Sequence, residues 1–135
     1  MAGKSTYLED KLLNWLKGTT FPAAPSTVYV ALFTANPADD GTGGTEVSGG
    51  NYSRVAITTS SGWSAISGTA PRQISNSGIV TFPTPSANWG TITGIGVYDA
   101  STAGNLLYWN SITSQVINSG VVASMAAGNI VVSDD

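Results

Sequence analysis

Thr27-Val28-Tyr29-Val30-Ala31-Leu32-Phe33-Thr34 decides the fold of this chain. Side chains alternate across a strand, so Val28, Val30 and Leu32 share one face and Tyr29, Ala31 and Phe33 share the other. Both sets are apolar, which predicts a central strand covered on both sides. Further β-rich runs at 52–59, 78–82, 90–98, 105–110, 121–125 and 129–133 are separated by Gly, Pro, Asn and Ser clusters. About seven strands behind one helix predict a mainly β protein. The expected architecture is a single β-sandwich, jelly-roll or Greek-key-like, over about 26–133 of one domain spanning 1–135.

Ahead of the strands, Leu8, Leu12, Trp15 and Leu16 recur at helical spacing, with Asp10, Asn14 and Lys17 opposite. Thr6 with Glu9 three residues later reads as a capping box, and Gly18 followed by Pro22 reads as the stop. The spacing therefore predicts a short N-terminal amphipathic α-helix over about 7–17. Such a stripe packs on its own domain in the ordinary case; docking on a neighbouring subunit is the alternative. In the 90–98 run, Ile92, Gly94, Gly96 and Tyr98 fall on one face, and the two missing side chains leave room for another element to come close. The helix, through Trp15, is the expected filler.

The segment 36–51 holds five glycines and three of the eight acidic residues, Asp39, Asp40 and Glu46. It reads as a long glycine-rich surface loop. Its acids could serve Ca²⁺, but their spacing is not that of an EF-hand, and no metal site is expected. The octets 73–80 and 115–122 echo each other, both placing Asn-Ser-Gly at a turn between strands.

Composition narrows the chemistry further. The 135 residues include no His and no Cys, with five basic and eight acidic side chains for a net charge of -3. Imidazole proton shuttles, Ser-His-Asp and Cys-His nucleophiles, thiolate redox and His or Cys zinc sites all lack their residues. A two-carboxylate glycosidase built on Glu46 with Asp39, Asp40 or Asp99 is the one enzymatic arrangement left, and nothing in the spacing places such a pair. No enzyme, cofactor or small-molecule substrate is expected. The basic residues Lys4, Lys11, Lys17, Arg54 and Arg72 are scattered, which disfavours direct nucleic-acid binding. Charges within the first 20 residues break any signal-peptide core, and no apolar run reaches the ~20 residues that cross a bilayer.

Three stretches carry a resemblance: 5–16 with Leu12-Leu13-Asn14-Trp15-Leu16, then 28–34, then Gly44-Thr45-Glu46-Val47-Ser48-Gly49-Gly50-Asn51-Tyr52-Ser53-Arg54. Asn88-Trp89-Gly90-Thr91-Ile92-Thr93, Gly96-Val97-Tyr98-Asp99-Ala100 and Gly104-Asn105-Leu106-Leu107-Tyr108 extend it through the second half. With these motifs the chain resembles small virion structural proteins of tailed bacteriophages, a group of head decoration (cement), tail and fibre-like proteins. The resemblance implies a place in the virion after synthesis in the host cytoplasm, and no catalytic residues. Low charge, many Ser, Thr and Gly residues and a mean hydropathy of +0.11 suit binding by area and shape. The first expectation is a capsid decoration protein on the outer shell. Its partners are the major capsid protein and further copies of itself, a homotrimer by analogy with other decoration proteins. A tail or tail-fibre component that contacts host sugars, with Trp63 and Asp99 as the residues at issue, is the alternative. Candidate interface residues are Leu8, Leu12, Trp15 and Leu16 on the helix, with Arg54 and Glu46 beside the long loop.

Overall fold

The computed structural model describes residues 3–134. In chain order they form β1 (Gly3–Lys4), α1 (Thr6–Leu16), β2 (Thr27–Ala35), β3 (Thr45–Glu46), β4 (Val55–Thr58) and β5 (Arg72–Ser75). There follow β6 (Val80–Thr81), β7 (Gly90–Tyr98), β8 (Leu106–Ile117), β9 (Ser124–Met125) and β10 (Val131–Asp134). The protein is mainly β with one helix, as the strand pattern predicts. One layer is a six-stranded antiparallel sheet in the order β1-β8-β7-β2-β3, with β4 also paired to β2. Two antiparallel ribbons, β5–β10 and β6–β9, supply the facing layer. Val28, Val30, Leu32, Ile92 and Val97 from the sheet meet Val80, Phe82 and Ile130 from the ribbon side in the main core.

β2 is the central strand. It pairs with β7 from Tyr29 to Phe33 on one side, and on the other with β4 up to Val30 and with β3 from Phe33. Val30 and Ala31 are both 0% exposed, and only a strand covered on both faces buries two consecutive side chains completely. Val28, Val30 and Leu32 join the main core, while Ala31 and Phe33 pack with Leu106 on the far face.

What covers the far face differs from expectation. A Cβ on Gly96 would lie 2.7 Å from Phe33 Cε2, and one on Gly94 would collide with Asn36 Oδ1. Phe33 and the start of the glycine-rich loop fill the space, while Trp15 of the helix stays 55% exposed. Nor does Ile92 share that face. The β7–β8 register shifts between Ile92 and Gly94, and Ile92 lies in the main core alongside Ile95 and Val97.

Several boundaries also move. The helix N-cap is Ser5 rather than Thr6: its Oγ accepts the Leu8 N–H at 3.3 Å, and its own N–H donates to the Leu107 carbonyl. Gly18, at φ +90°, ends the helix as expected. β8 runs twelve residues instead of six because β7 pairs with it as far as Ile117. β1, β3 and β5 leave no strand pattern in the sequence; they are short or polar and exist through their partners.

The echoed Asn-Ser-Gly triplets follow β5 and β8, so both mark strand ends. Their asparagines differ. Asn118 is exposed, whereas Asn76 is buried at 2% and donates to the carbonyls of Gly78 (2.7 Å) and Ala126 (3.0 Å) while accepting the Ile130 N–H (2.8 Å). It ties the ribbon β5–β10 to the segment after β9. Asn76→Ala removes three hydrogen bonds, one of them to the buried Ile130 N–H, and is expected to lower stability by about 2 kcal/mol, read as a shift of the urea unfolding midpoint.

Candidate interaction surfaces

Arg54 sits just before β4, after a chain reversal in which Gly49, Gly50 and Asn51 all take left-handed φ values (71°, 57° and 66°). The reversal is pinned by Trp89, whose Nε1–H donates to the Gly50 carbonyl at 2.8 Å. From there the guanidinium makes a two-pronged pair with Glu46, Nε to Oε1 and Nη2 to Oε2, each 2.8 Å. Its Nη1 donates to the carbonyls of Ala100 and Ala103, both at 2.8 Å, and its plane lies 3.6 Å above the centre of the Tyr98 ring. Four N–H donors and a stacking face are thus committed inside the chain. The Arg54 side chain is 6% exposed and that of Glu46 is 25% exposed. Both sequence-derived candidates therefore hold the β7–β8 connection to β3 rather than stand out from the surface.

Tyr52 completes this knot. The ladder partners of β2 change from β4 to β3 near Leu32, and in that gap the Leu32 N–H donates to Tyr52 Oη at 3.0 Å. The phenol in turn donates to Glu46 Oε1 at 2.8 Å. One side chain so replaces a missing strand partner and orients the carboxylate. Burial pushes the Tyr52 phenol well above its ordinary pKa; the Leu32 bond acts in the opposite sense and the Glu46 carboxylate pushes it further up. For Arg54, burial opposes the charge, but the bonds and field of Glu46 outweigh it and raise its pKa.

The remaining acids are dispersed. Asp39 accepts the Trp109 Nε1–H at 2.9 Å, and its carbonyl accepts the Thr6 N–H. Asp40 accepts both the N–H and the hydroxyl of Thr42, bonds that lower its pKa. Asp99 holds the N–H and Nδ2 of Asn105 at 2.7 and 2.8 Å. Among the described residues no three acidic side chains gather as a metal site. The glycine-rich loop is thereby fastened across the far face of the sheet, and it contains β3, so it is more ordered than its composition suggests. Trp63 is half-buried against the main core.

The helix is the reverse of its sequence reading. Tyr7, Leu8, Lys11 and Asn14 are partly covered, whereas Leu12, Leu13, Trp15 and Leu16 are 37, 58, 55 and 72% exposed. No residue of α1 is buried. Of the stripe Leu8, Leu12, Trp15 and Leu16, only Leu8 is partly seated, near Leu107 and Pro25. The expectation that the stripe packs on its own domain fails for all but Leu8, because the helix meets Leu107 of β8 and the Pro22–Pro25 segment through Tyr7, Leu8 and Lys11. Phe21, 41% exposed, lines a groove with Tyr7, Leu8 and Lys11 on the covered side of the helix. The Leu8–Leu12–Trp15–Leu16 stripe omits Leu13, which stands 58% exposed beside Leu16 and Glu9 on the helical wheel. A second apolar feature is a cleft of about 330 Å³ between sheet and ribbon, lined by Ile92, Ile95, Ile112, Ile117 and Met125. Among the described residues, no helix is long and apolar enough to cross a membrane.

The body is a β-sandwich in which the Arg54–Glu46 pair and the Tyr52, Trp89 and Tyr98 rings hold the chain's own loops, with apolar side chains turned outward on one helix. The chain belongs to the Gp80 family, described as podophage GP4 fiber I protein gp80, whose model matches residues 3–133. It is thus a structural protein of the phage virion, as the sequence motifs implied, within a family of fibre proteins rather than enzymes. No curated protein matches the chain.

One substitution tests the knot. Arg54→Lys keeps the charge but cannot grip a carboxylate with two prongs, two carbonyls and a ring at once. It is expected to cost about 2 kcal/mol in chemical denaturation and to speed amide exchange in 99–105. Alkaline titration tests the phenols. Burial, assisted by the charge of Asp134, pushes Tyr108 up to about 12 from 10.0, and burial first of all raises Tyr98. Unfolded tyrosines ionise near 10, so the unfolded chain gives up these protons first. Stability is expected to be level below about pH 10 and to fall as the pH climbs toward 12. Tyr108→Phe should flatten that fall in thermal melts taken across the range.

Proposed function

We propose that the chain is a non-enzymatic subunit of the virion's fibre, joined to its neighbours through apolar and shape-matched contacts. The observation that carries this reading is the match of residues 3–133 to a fibre family. The geometry is in keeping with it. The body is internally satisfied: among the described residues no buried side-chain nitrogen or oxygen lacks a partner. Its unmet demand is apolar: Leu12, Leu13, Trp15 and Leu16 are exposed together on α1, and Ile66, Ile79, Val116, Val121 and Val122 are exposed elsewhere; apolar patches that exceed scattered exposure mark interaction sites. Repeated weak contacts between copies or along a fibre add up through effective concentration.

The outer-shell reading, with the major capsid protein and a trimer of this chain as partners, shares the same low charge and compact sandwich. It differs in where the subunit sits. Cryo-EM difference maps between complete particles and particles lacking this protein separate the two. The fibre reading expects density to vanish from the tail fibres. Density lost from the outer shell at local symmetry axes would replace it with the decoration reading.

A further inference from the structure

We propose that α1 is a self-association surface on which two copies of this chain pair antiparallel about a two-fold axis. This goes beyond the place of the subunit in the virion and holds equally for a fibre or a shell position. The starting observation is the inverted seating of the helix, which presents Leu12, Leu13, Trp15 and Leu16 to solvent and covers Tyr7 and Asn14. At 100° per residue, these four side chains form one broad face, and Glu9 falls within it, between Leu13 and Leu16. Lys17 borders the same face beside Leu13, at the opposite end of the helix from Glu9. Both charged side chains are exposed.

That charge order selects the partner and its direction. A patch that is apolar in the middle, acidic at one end and basic at the other is complementary to itself once rotated by 180°. In an antiparallel pair crossing near Leu12 and Leu13, Glu9 of each copy meets Lys17 of its mate, so the contact occurs twice. A parallel pair or trimer stacks Glu9 on Glu9 and Lys17 on Lys17, placing like charges together at both ends. Antiparallel packing also sets the positive N-terminus of each helix against the negative C-terminus of the other. The apolar centre supplies affinity, and the charged ends set direction.

Sedimentation of the full chain, from dilute solution up to about 1 mM, reads this directly. The wild type is expected to form dimers. Glu9→Lys and Lys17→Glu, both exposed changes that leave the circular dichroism unaltered, should each weaken the dimer roughly tenfold. The double variant E9K/K17E should recover wild-type affinity, and so should an equimolar mixture of the two single variants. Leu16→Ser should dissociate the dimer with the fold intact. A chain that stays monomeric throughout, a trimer, or single charge reversals without effect would each overturn the proposal. Burial of α1 seen only within virions of a monomeric chain would assign the face to another virion protein.

Discussion

The two-pronged pair of Arg54 with Glu46 is the interaction on which the arrangement of the sheet depends. It joins β3, the start of β4 and the β7–β8 connection, where β3, β4 and β7 each pair with β2 but not with one another. A buried guanidinium is costly to desolvate, and the cost is offset only because nearly every donor has a partner and a ring lies under its plane. Tyr52 extends the same network to the backbone of the central strand at the point where β2 changes partners. The result is a body in which this one ion pair is turned inward, while most of the few other charged groups, among them Asp39, Asp40, Arg72 and Asp134, stay at the surface.

The central strand was legible because its alternation places apolar residues on both faces, which neither an edge strand nor an amphipathic helix requires. β7 was legible to the residue at both ends, since Gly90 and Asp99 punctuate a clean β run. The rest failed for identifiable reasons. β5 reads Arg-Gln-Ile-Ser and is a strand because β10 pairs with it on one side and Ser64 and Ser67 bond it on the other. The Ser- and Thr-rich half of β8 is held by its β7 partner rather than by burial. Simple alternation puts Ile92 on the wrong face, because a register shift is invisible to it.

The candidate site was half legible. Glu46 and Arg54 stand out through the scarcity of charge, and a pairing between them is one of the arrangements the sequence allows; that the pair sits inward follows from the Gly49–Asn51 reversal and from Tyr98, which spacing does not reveal. Helical periodicity located α1 and its stripe but not which side faces the body. The Ser5 cap bonded to Leu107, and Thr6 bonded to Asp39, set the rotation of the helix about its axis and turn the stripe outward. Periodicity measures segregation of side chains and is blind to what covers them.

An internally satisfied sandwich with one apolar helix face left open fits a subunit that functions by being assembled. Hydrogen exchange, compared between the dilute free chain and the same chain in intact virions, tests this most directly. The account predicts strong new protection in 6–21 on assembly, and little change in 46–54 and 99–105, where the Arg54 network already holds the backbone. Unchanged exchange in the helix, with new protection confined to the Arg54 region, would contradict it.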